Sequence, residues 1–408
     1  MKLLKVDTVE QVKEKLKRHF SCHSPGTESI RLDKVLGRIA ARDIFSGFDI
    51  PEFNRSTVDG YAVLSKDTIG ASESLPLFLD IAGSVEMGKA TQIILNSGKA
   101  AYVPTGGIIP AGADGVVMIE YIEMLDEKTI AVHDSIAPGD NIINIGDDIR
   151  KNEILINRGC VIKPQQIGVL AAAGVEYVEV YKKLKIAILS TGDEIVSPFS
   201  EVAPGQVRDI NAYVLAAMAE ELGAEVTSIN MLKDDLELLT ATIGDLAKHN
   251  DIVVVSGGSS AGNKDVTAKA IDNLGNPGVF VHGIAVKPGK PTIIGKSGNT
   301  AIIGLPGHPV SAAVIFRVFV GYLVKLILGK EAERLYIQAR CTANIHSSPG
   351  KETYQMVELS EGPEGYEAYP VYAKSAAISL LSKAQGYITI PMNKEGIKKG
   401  EAVRVELL

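Results

Sequence analysis

The feature that most constrains the fold is a regular alternation of strand-like and helix-like segments between Leu184 and Gly329. Short apolar runs such as KIAIL, EVTSINML, DIVVVS and TAIIG predict strands. Between them, NAYVLAAMAEEL and DLELLTATIGDLAKH carry apolar residues at helical spacing. Strands alternating with helices of this length predict βαβ units around a mostly parallel sheet.

Outside this region the pattern of predicted helices and strands is different. Helical spacing is predicted at Val9 to Phe20, Leu32 to Ala41 and Lys163 to Ala173, the last stopped by Gly174. From Phe48 to Asn141, and again after Gly329, short apolar runs alternate with turn residues, which is typical of β domains without helices. We therefore expect four domains, with these bounds: a helical linker domain at 1–47 and 142–180, an inserted β domain at 48–141, an α/β domain at 181–329 and a C-terminal β domain at 330–408.

Bulk composition narrows the class of function. A chain of 408 residues exceeds a single hydrophobic core, and 46% hydrophobic with 22% charged residues is typical of a globular protein. The net charge of -7 argues against wholesale nucleic-acid binding. The three cysteines are far apart, which favours a reducing, cytoplasmic compartment over a disulfide framework. Charges interrupt the opening MKLLKVDTVEQVKEKLK, so we expect no signal peptide there.

The most apolar long stretch runs from Val310 to Leu328 and contains Arg317 and Lys325. A membrane span tolerates central charges poorly. We therefore predict a buried helix of the α/β domain and no membrane contact.

Polar loops follow the predicted strands of the α/β domain. In an open parallel sheet the ligand binds beyond the carboxyl ends of the strands, so these loops should share one edge. They carry carboxylates, glycines, hydroxyls and lysines. The loops are Ser190 to Glu194, Lys233 to Asp235, Ser256 to Asp265, Lys287 to Lys290 and Leu305 to Pro309.

One of these loops, GGSSAG, lies between a strand and a helix. Glycines let a backbone approach a ligand, and a helix start offers free N–H donors, so a phosphate fits there. A tight turn without a ligand fits the same residues. The loop lacks the Lys-Ser/Thr of a Walker A motif and is not G-x-G-x-x-G. Its candidate binding residues are Gly257, Gly258, Ser259 and Gly262.

Two sets of charged residues, one of lysines and one of carboxylates, complete the predicted edge. Lys287 and Lys290 flank Pro288-Gly289, which makes them either a solvated turn or oxyanion ligands. Three carboxylates come from separate loops, and each alone is equally a helix cap. Two carboxylates ~4 Å apart repel by on the order of 4 kcal/mol at an effective dielectric of 20, which a hard cation relieves. The predicted Mg²⁺ ligands are Glu194, Asp234 and Asp265.

Other polar clusters stay open at this point. His19, Cys22 and His23 lack a fourth ligand at zinc spacing. The stretches PEFNRSTVDGYA and PTGGIIPAGAD of the β domain fit ordinary hairpin turns as well as a site.

Six ordered motifs resemble one known family. PEFNRSTVDGYAV, PTGGIIPAGADGVVMIE, ILSTGDEIV, SGGSSAGNKD, VKPGKP and GLPGHPVSA resemble signatures of the molybdopterin molybdenumtransferase family, called MoeA in bacteria and the E domain of gephyrin in animals. The resemblance extends from about Val9 to the C-terminus. It implies an elongated helical domain, an inserted β domain, a MoaB/Mog-like α/β domain and a C-terminal β-barrel domain.

The resemblance also implies a reaction. Members take adenylyl-molybdopterin and molybdate, require Mg²⁺, and yield the molybdenum-loaded cofactor and AMP. They are homodimers whose clefts are built from both subunits, and they are compatible with contacts to a Mog/MoaB-like adenylyltransferase and to cofactor-receiving enzymes.

Matched residue by residue, the resemblance implies particular roles. The catalytic positions are Asp59, Thr105, Asp148, Glu194, Asp234 and Asp265. The substrate-binding positions, besides the glycine loop, are Lys287, Lys290, Pro306, His308, Pro309 and Ser375. Asp59 and Thr105 are expected to reach the cleft from the partner subunit.

The chain departs from the family pattern at several positions. His308 stands where Asn is frequent, and GKETY lacks the usual arginine. Ala376 and Gln385 also differ from the usual residues. Three alternatives therefore remain: a molybdopterin adenylyltransferase, an enzyme using tungstate, or a scaffold that has lost turnover.

Overall fold

The computed structural model describes residues 6–257, 266–329, 336–372 and 375–408. Its first helix, Val9–Phe20, is confirmed as predicted. Thr8 caps it, since the Thr8 hydroxyl accepts from the Gln11 amide and the Gln11 side chain accepts from the Thr8 amide. Its buried face packs against the apolar helix Gly321–Leu328.

The helix predicted from Leu32 to Ala41 is wrong. Only a single 3₁₀ turn forms, Leu32–Lys34. Gly37 then adopts a positive φ of 74°, which ends any helical path, and Ile39 and Ala40 form β-bridges. Two small antiparallel sheets surround this segment: Thr27–Arg31 with Tyr177–Tyr181, and Ile44–Phe45 with Ile154–Ile156. The predicted third helix is confirmed as Pro164–Ala172, and Gly174 follows it with φ 65°.

The predicted β structure after Phe48 is confirmed as a six-stranded sheet. Tyr61, Val63 and Val117 lie in one of its two apolar layers, and Ala62, Val103 and Val116 in the other. Its strands, in spatial order, are Gly115–Met118, Gly60–Val63, Lys99–Val103, Leu77–Ser84, Thr129–Val132 and Ile122–Met124. A two-stranded ribbon, Arg55–Ser56 with Ile142–Ile143, lies beside it.

A second six-stranded sheet forms the centre of the molecule. Its first four strands are parallel, and Ile293–Ser297 runs antiparallel to both of its neighbours. The predicted mostly parallel sheet is therefore confirmed. In spatial order its strands are Glu225–Leu232, Lys185–Thr191, Ile252–Ser256, Thr300–Leu305, Ile293–Ser297 and Gly278–His282.

Helices cover both faces of the central sheet. The face with Ile186, Ile188 and Val254 packs on helix Asn211–Glu221 and on the helical stretch that begins at Pro309. The opposite face, with Ala187 and Leu189, packs on helices Leu236–Ala247 and Val266–Asn273. This sandwich of helix, sheet and helix is the α/β arrangement that the alternating pattern predicted.

The apolar stretch after Pro309 is one continuous helical rod. It comprises Pro309–Ile315, a π-helical stretch Phe316–Val320, and Gly321–Leu328. Among the described residues it is the single helix long and apolar enough to cross a membrane, but 72% of its window is buried inside the protein. The prediction of a buried core helix is therefore confirmed.

The C-terminal region is a closed five-stranded barrel. Its strands, in order around the barrel, are Glu352–Gly362, Gly365–Pro370, Tyr336–Cys341, Ala402–Leu407 and Gly386–Ile390, which pairs back to the first. The short strand Val286–Lys287 adds to Glu352–Gly362 from the α/β region. Ile345–His346 pairs with Gly396–Ile397. A short helix, Ser379–Lys383, corrects the expectation that this part contains no helix.

Candidate active site

A cavity of about 710 Å³ opens where the four parallel strands end. Loops after all four strands contribute to it, together with the start of helix Asn211–Glu221. This is the edge at which an open parallel sheet binds its ligand. The residues that carry its polar groups are Ser190, Thr191, Glu194, Arg208, Asp209, Asn211, Asp234, Ser256 and His308.

Two of the three predicted metal ligands line this cavity. Glu194 is exposed, and Asp234 is half-buried and accepts a 2.5 Å hydrogen bond from the Thr191 hydroxyl. Among the described residues no three His, Cys, Asp or Glu side chains form a metal cluster. Magnesium commonly takes only one or two protein carboxylates, with water and substrate phosphate supplying the remaining oxygens. Glu194 and Asp234 are of the residue types that such a partly protein-ligated Mg²⁺ ion takes, and both line the same cavity.

Part of the predicted glycine loop falls outside the described residues, namely Gly258, Ser259, Gly262 and Asp265. The described first residue, Gly257, has φ 108°. A Cβ added there would lie 2.0 Å from the Thr191 carbonyl oxygen. Only glycine therefore fits this turn, as a close approach of two strand ends requires.

The second cavity, about 1090 Å³, lies between the central sheet and the barrel. Lys287 and Lys290 line it, as does Ser375, whose hydroxyl is hydrogen-bonded to the His308 ring. Pro306 and His308 line both cavities, while Pro309 lines the first. The loop after the strand Thr300–Leu305 is therefore a wall that the two cavities have in common.

Lysine ammonium groups make the second cavity suitable for an anion. The Lys287 ammonium donates to the Ser348 hydroxyl at 3.1 Å, and Lys351 lines the same space. Both predicted lysines are exposed to solvent. Two or more cations around one space are an established way to hold an oxyanion.

A buried tyrosine forms part of the wall on the barrel side. Burial raises the pKa of Tyr354, and the neighbouring Glu352 carboxylate raises that pKa further. The Tyr354 hydroxyl therefore stays protonated and donates to Glu352 at 2.5 Å. Tyr354 is therefore an uncharged part of the wall, and the positive charge of this cavity comes from its lysines.

Three polar residues of the first cavity were not predicted from the sequence, namely Arg208, Asp209 and Asn211. The Asn211 amide donates to the Ser256 hydroxyl at 2.7 Å and to the Gly307 carbonyl at 2.8 Å. Asp209 is 7% exposed and accepts from the Ala212 amide. They precede a helix rather than follow a strand of the central sheet, so the rule used for the loops omitted them. The Asp209 that lies just before the predicted helix NAYVLAAM was a helix-start signal.

Three predicted residues lie outside both cavities. Asp59 and Thr105 are brought together, because the Asp59 carboxylate accepts from the Thr105 amide at 2.7 Å and from its hydroxyl at 3.1 Å. Asp148 is anchored elsewhere, through its amide to the Ile50 carbonyl. None of the three lines either cavity. Their catalytic roles therefore stay predictions.

Comparisons with family models and with known proteins all point to one family. The model of the MoeA N-terminal region (domain I and II) matches residues 7–174. A probable molybdopterin binding domain matches 187–325, and the MoeA C-terminal region (domain IV) matches 338–408. A molybdopterin molybdenumtransferase of Haemophilus influenzae is 30% identical over 403 residues, covering 98% of both chains.

The chain belongs to the MoeA family. Two crystal structures of molybdopterin biosynthesis MoeA proteins from Pyrococcus horikoshii match it. One has a TM-score of 0.85 at 38% identity, covering 99% of each chain. The other has a TM-score of 0.86 at 28% identity, covering 99% of this chain and 100% of that one. The MoeA resemblance seen in the motifs is thus confirmed over nearly the whole length.

Proposed function

We propose that this MoeA-family chain is a molybdopterin molybdenumtransferase, an enzyme of molybdenum cofactor biosynthesis. It takes adenylyl-molybdopterin and molybdate and releases the molybdenum-loaded cofactor and AMP. The observation that carries the proposal is a pair of cavities that share one loop. The first is lined by the Glu194, Asp209 and Asp234 carboxylates together with Gly257, the other is lined by lysines, and both are lined by Pro306 and His308.

In this proposal the first cavity holds the adenylyl pyrophosphate. Glu194 and Asp234 would hold a Mg²⁺ ion there; Asp265, the third ligand predicted from the sequence, lies outside the described residues. Such an ion would neutralise charge on the pyrophosphate oxygens. The Thr191 hydroxyl, through its 2.5 Å hydrogen bond, orients the Asp234 carboxylate. Gly257 lines this cavity, and its backbone N–H is a candidate donor to a phosphate oxygen.

The second cavity binds the oxyanion. Lys287 and Lys290 attract molybdate, while His308 and Ser375 offer hydrogen-bonding groups at the junction with the first cavity. The dithiol sulfurs would then replace oxygens of the molybdate, which leave as water with the thiol protons, next to the pyrophosphate bond that water cleaves to release AMP. Binding both substrates across one loop provides the proximity on which such a transfer depends.

The remaining predicted residues enter from a second copy. We propose a homodimer in the cytoplasm in which Asp59 and Thr105 of one protomer complete the cleft of the other. Support comes from the hydrogen-bonded pairing of Asp59 with Thr105 at a place that lines neither cavity of its own chain.

We also propose that the chain has four domains, with boundaries near residues 47, 141, 180 and 329.

The deciding experiment measures products. Purified protein is incubated with adenylyl-molybdopterin, molybdate and Mg²⁺, and AMP and pterin-bound molybdenum are quantified. Stoichiometric release of AMP with loading of metal is the expected result. A parallel incubation with tungstate measures preference between the two oxyanions.

Two alternatives make different predictions in the same assay. An adenylyltransferase would form pyrophosphate from ATP and metal-free molybdopterin. A scaffold would form neither product and would not restore molybdoenzyme activity in cells that lack molybdenum transfer. Either pattern, with a folded protein, would overturn the transferase proposal.

A further inference from the structure

The buried hydroxyl of Ser190 is a feature of the first cavity that the mechanism above does not use. Ser190 is 0% exposed, and its Oγ has no hydrogen-bond partner among the described residues. It nevertheless lines the 710 Å³ cavity. Burying a hydroxyl without a partner costs about 1–3 kcal/mol, so such a group calls for an explanation.

The strand geometry shows which way Ser190 faces. Alternate residues of a strand lie on opposite faces, and Ile186 and Ile188 contribute to the core under the helix Asn211–Glu221. Ser190 continues that row by two residues. It therefore lies on the same face as the start of that helix, at the point where the apolar core gives way to the cavity.

Its neighbour on the next strand provides an internal comparison. Ser190 and Ser256 are in register on adjacent parallel strands. The Ser256 hydroxyl is satisfied by Asn211, whereas the Ser190 hydroxyl is not satisfied by any described residue. The cavity floor thus has one hydroxyl that is bonded to Asn211 and one, that of Ser190, that has no partner in the described part of the chain.

We propose that Ser190 is a substrate-binding residue, whose hydroxyl donates a hydrogen bond to an oxygen of the AMP half of the substrate. This assignment rests on the proposed function. Ser190 lies next to Ser256 and hence to Gly257, where the adenylyl phosphate is proposed to bind. An uncharged hydroxyl can serve an oxygen there without adding charge to a cavity that already holds Glu194, Asp209 and Asp234.

The test compares Ser190→Ala with Thr300→Val. Thr300 is also buried, but its hydroxyl donates to the carbonyls of Ala247 and Asn250. It begins the strand Thr300–Leu305 and so lies at the edge of the sheet opposite the cavity. For each variant the dissociation constant of AMP with Mg²⁺ is measured by calorimetry. Thermal melting and the kinetics of AMP release are measured on the same preparations.

The expected result separates the two hydroxyls. Ser190→Ala weakens AMP binding and raises the KM for adenylyl-molybdopterin roughly tenfold, the effect of one lost hydrogen bond, with kcat little changed. Its melting temperature equals or exceeds that of wild type, because an unpaired buried group has been removed. Thr300→Val shows the reverse: a lower melting temperature and unchanged AMP binding.

Two outcomes would overturn the assignment. If Ser190→Ala lowers the melting temperature and leaves AMP binding unchanged, the hydroxyl holds structure, for example through a buried water. If wild-type protein binds AMP and releases it in turnover while Ser190→Ala matches it in both, Ser190 has no binding role but the proposed function stands. Wild-type protein that neither binds nor releases AMP would remove both proposals.

Discussion

His308 Nδ1 lies 2.8 Å from the hydroxyl oxygen of Ser375. This hydrogen bond links the loop after a strand of the central sheet to the segment leading into the short helix Ser379–Lys383. The Val310 amide reinforces the link by donating to the Ser375 carbonyl at 3.2 Å. The loop shared by the two cavities is therefore held from the barrel side.

We predict that Ser375→Ala raises the KM for molybdate several-fold. The His308 ring loses the partner that orients it, and a typical hydrogen bond contributes about 0.5–1.5 kcal/mol. Steady-state kinetics at varied molybdate measure the effect. Ser382→Ala, at an exposed serine of the adjacent short helix, is the matched control and should leave the KM unchanged. Equal KM values for both variants would separate Ser375 from oxyanion binding.

Lys287 and Lys290 should act together on the oxyanion. Replacing both by Gln is expected to raise the KM for molybdate by roughly tenfold or more, since charge-assisted contacts contribute about 1.5–3 kcal/mol each. Added salt should weaken molybdate binding to wild type but have less effect on the double variant. Lys248→Gln, an exposed lysine that lines neither cavity, serves as the control. A double variant with the wild-type KM and salt dependence would contradict the role.

The two cavity carboxylates should determine the magnesium requirement. Glu194→Gln and Asp234→Asn are expected to raise the Mg²⁺ concentration for half-maximal AMP release at least tenfold, because each removes a charged oxygen ligand. Titration of AMP release with Mg²⁺ measures this change. Glu237→Gln, in the first turn of an exposed helix end, should titrate like wild type. A lower kcat with an unchanged Mg²⁺ dependence would argue against metal binding.

Gly257→Ala should destabilise the fold more than the same change at another glycine. The added Cβ meets the Thr191 carbonyl oxygen at 2.0 Å, and φ is 108°. Gly298 has φ 56°, and a methyl group added there would have nothing within 4 Å, so Gly298→Ala measures the backbone cost alone. We expect Gly257→Ala to lower the free energy of unfolding, measured with urea, by at least about 1–3 kcal/mol, and by clearly more than the control does. Equal losses would show that the loop can shift away.

Acid should weaken the protein through His19. Burial lowers the pKa of His19 below its ordinary 6.5, and the nearby Lys296 lowers that pKa further. The unfolded chain therefore binds this proton more readily, so stability is lost as pH falls through 6.5. His19→Phe keeps a ring to stack on Phe280 but cannot titrate. Wild type should lose stability relative to this variant between pH 7.5 and pH 5.5, as measured by urea unfolding. A constant difference across that range would contradict the prediction.

The central sheet was predictable because buried parallel strands leave a strong signal. Glu225–Leu232 has the limits that its apolar pattern predicted. The pattern failed at Leu32 to Ala41, where apolar residues at helical spacing bury themselves in a turn and two bridges instead. Spacing alone does not reveal that the backbone donors find partners on neighbouring strands. The strand Gly278–His282 was missed because its Gly, Phe and His residues carry no clear alternation.

The site was predictable to the extent that it obeys one topological rule. Loops at the carboxyl ends of parallel strands meet, and Glu194, Asp234, Pro306 and His308 do line one cavity. Asp209 and Asn211 escaped because they reach the cavity from the start of a helix. Asp59 and Asp148 show the other limit, since neither lines one of the two cavities and their catalytic roles stay predictions.

The strand Val286–Lys287 pairs with the barrel while lying immediately before the proposed oxyanion loop. Lys287 is opposite Thr353, and the Ala285 carbonyl accepts from the Glu352 amide. A chain cut off before the barrel would therefore lose the hydrogen-bonded neighbour that gives this lysine its position. Such a shortened chain would keep Glu194 and Asp234 but would leave Lys287 without the strand that fixes its backbone, so the barrel is as much a support for the α/β region as a domain beside it.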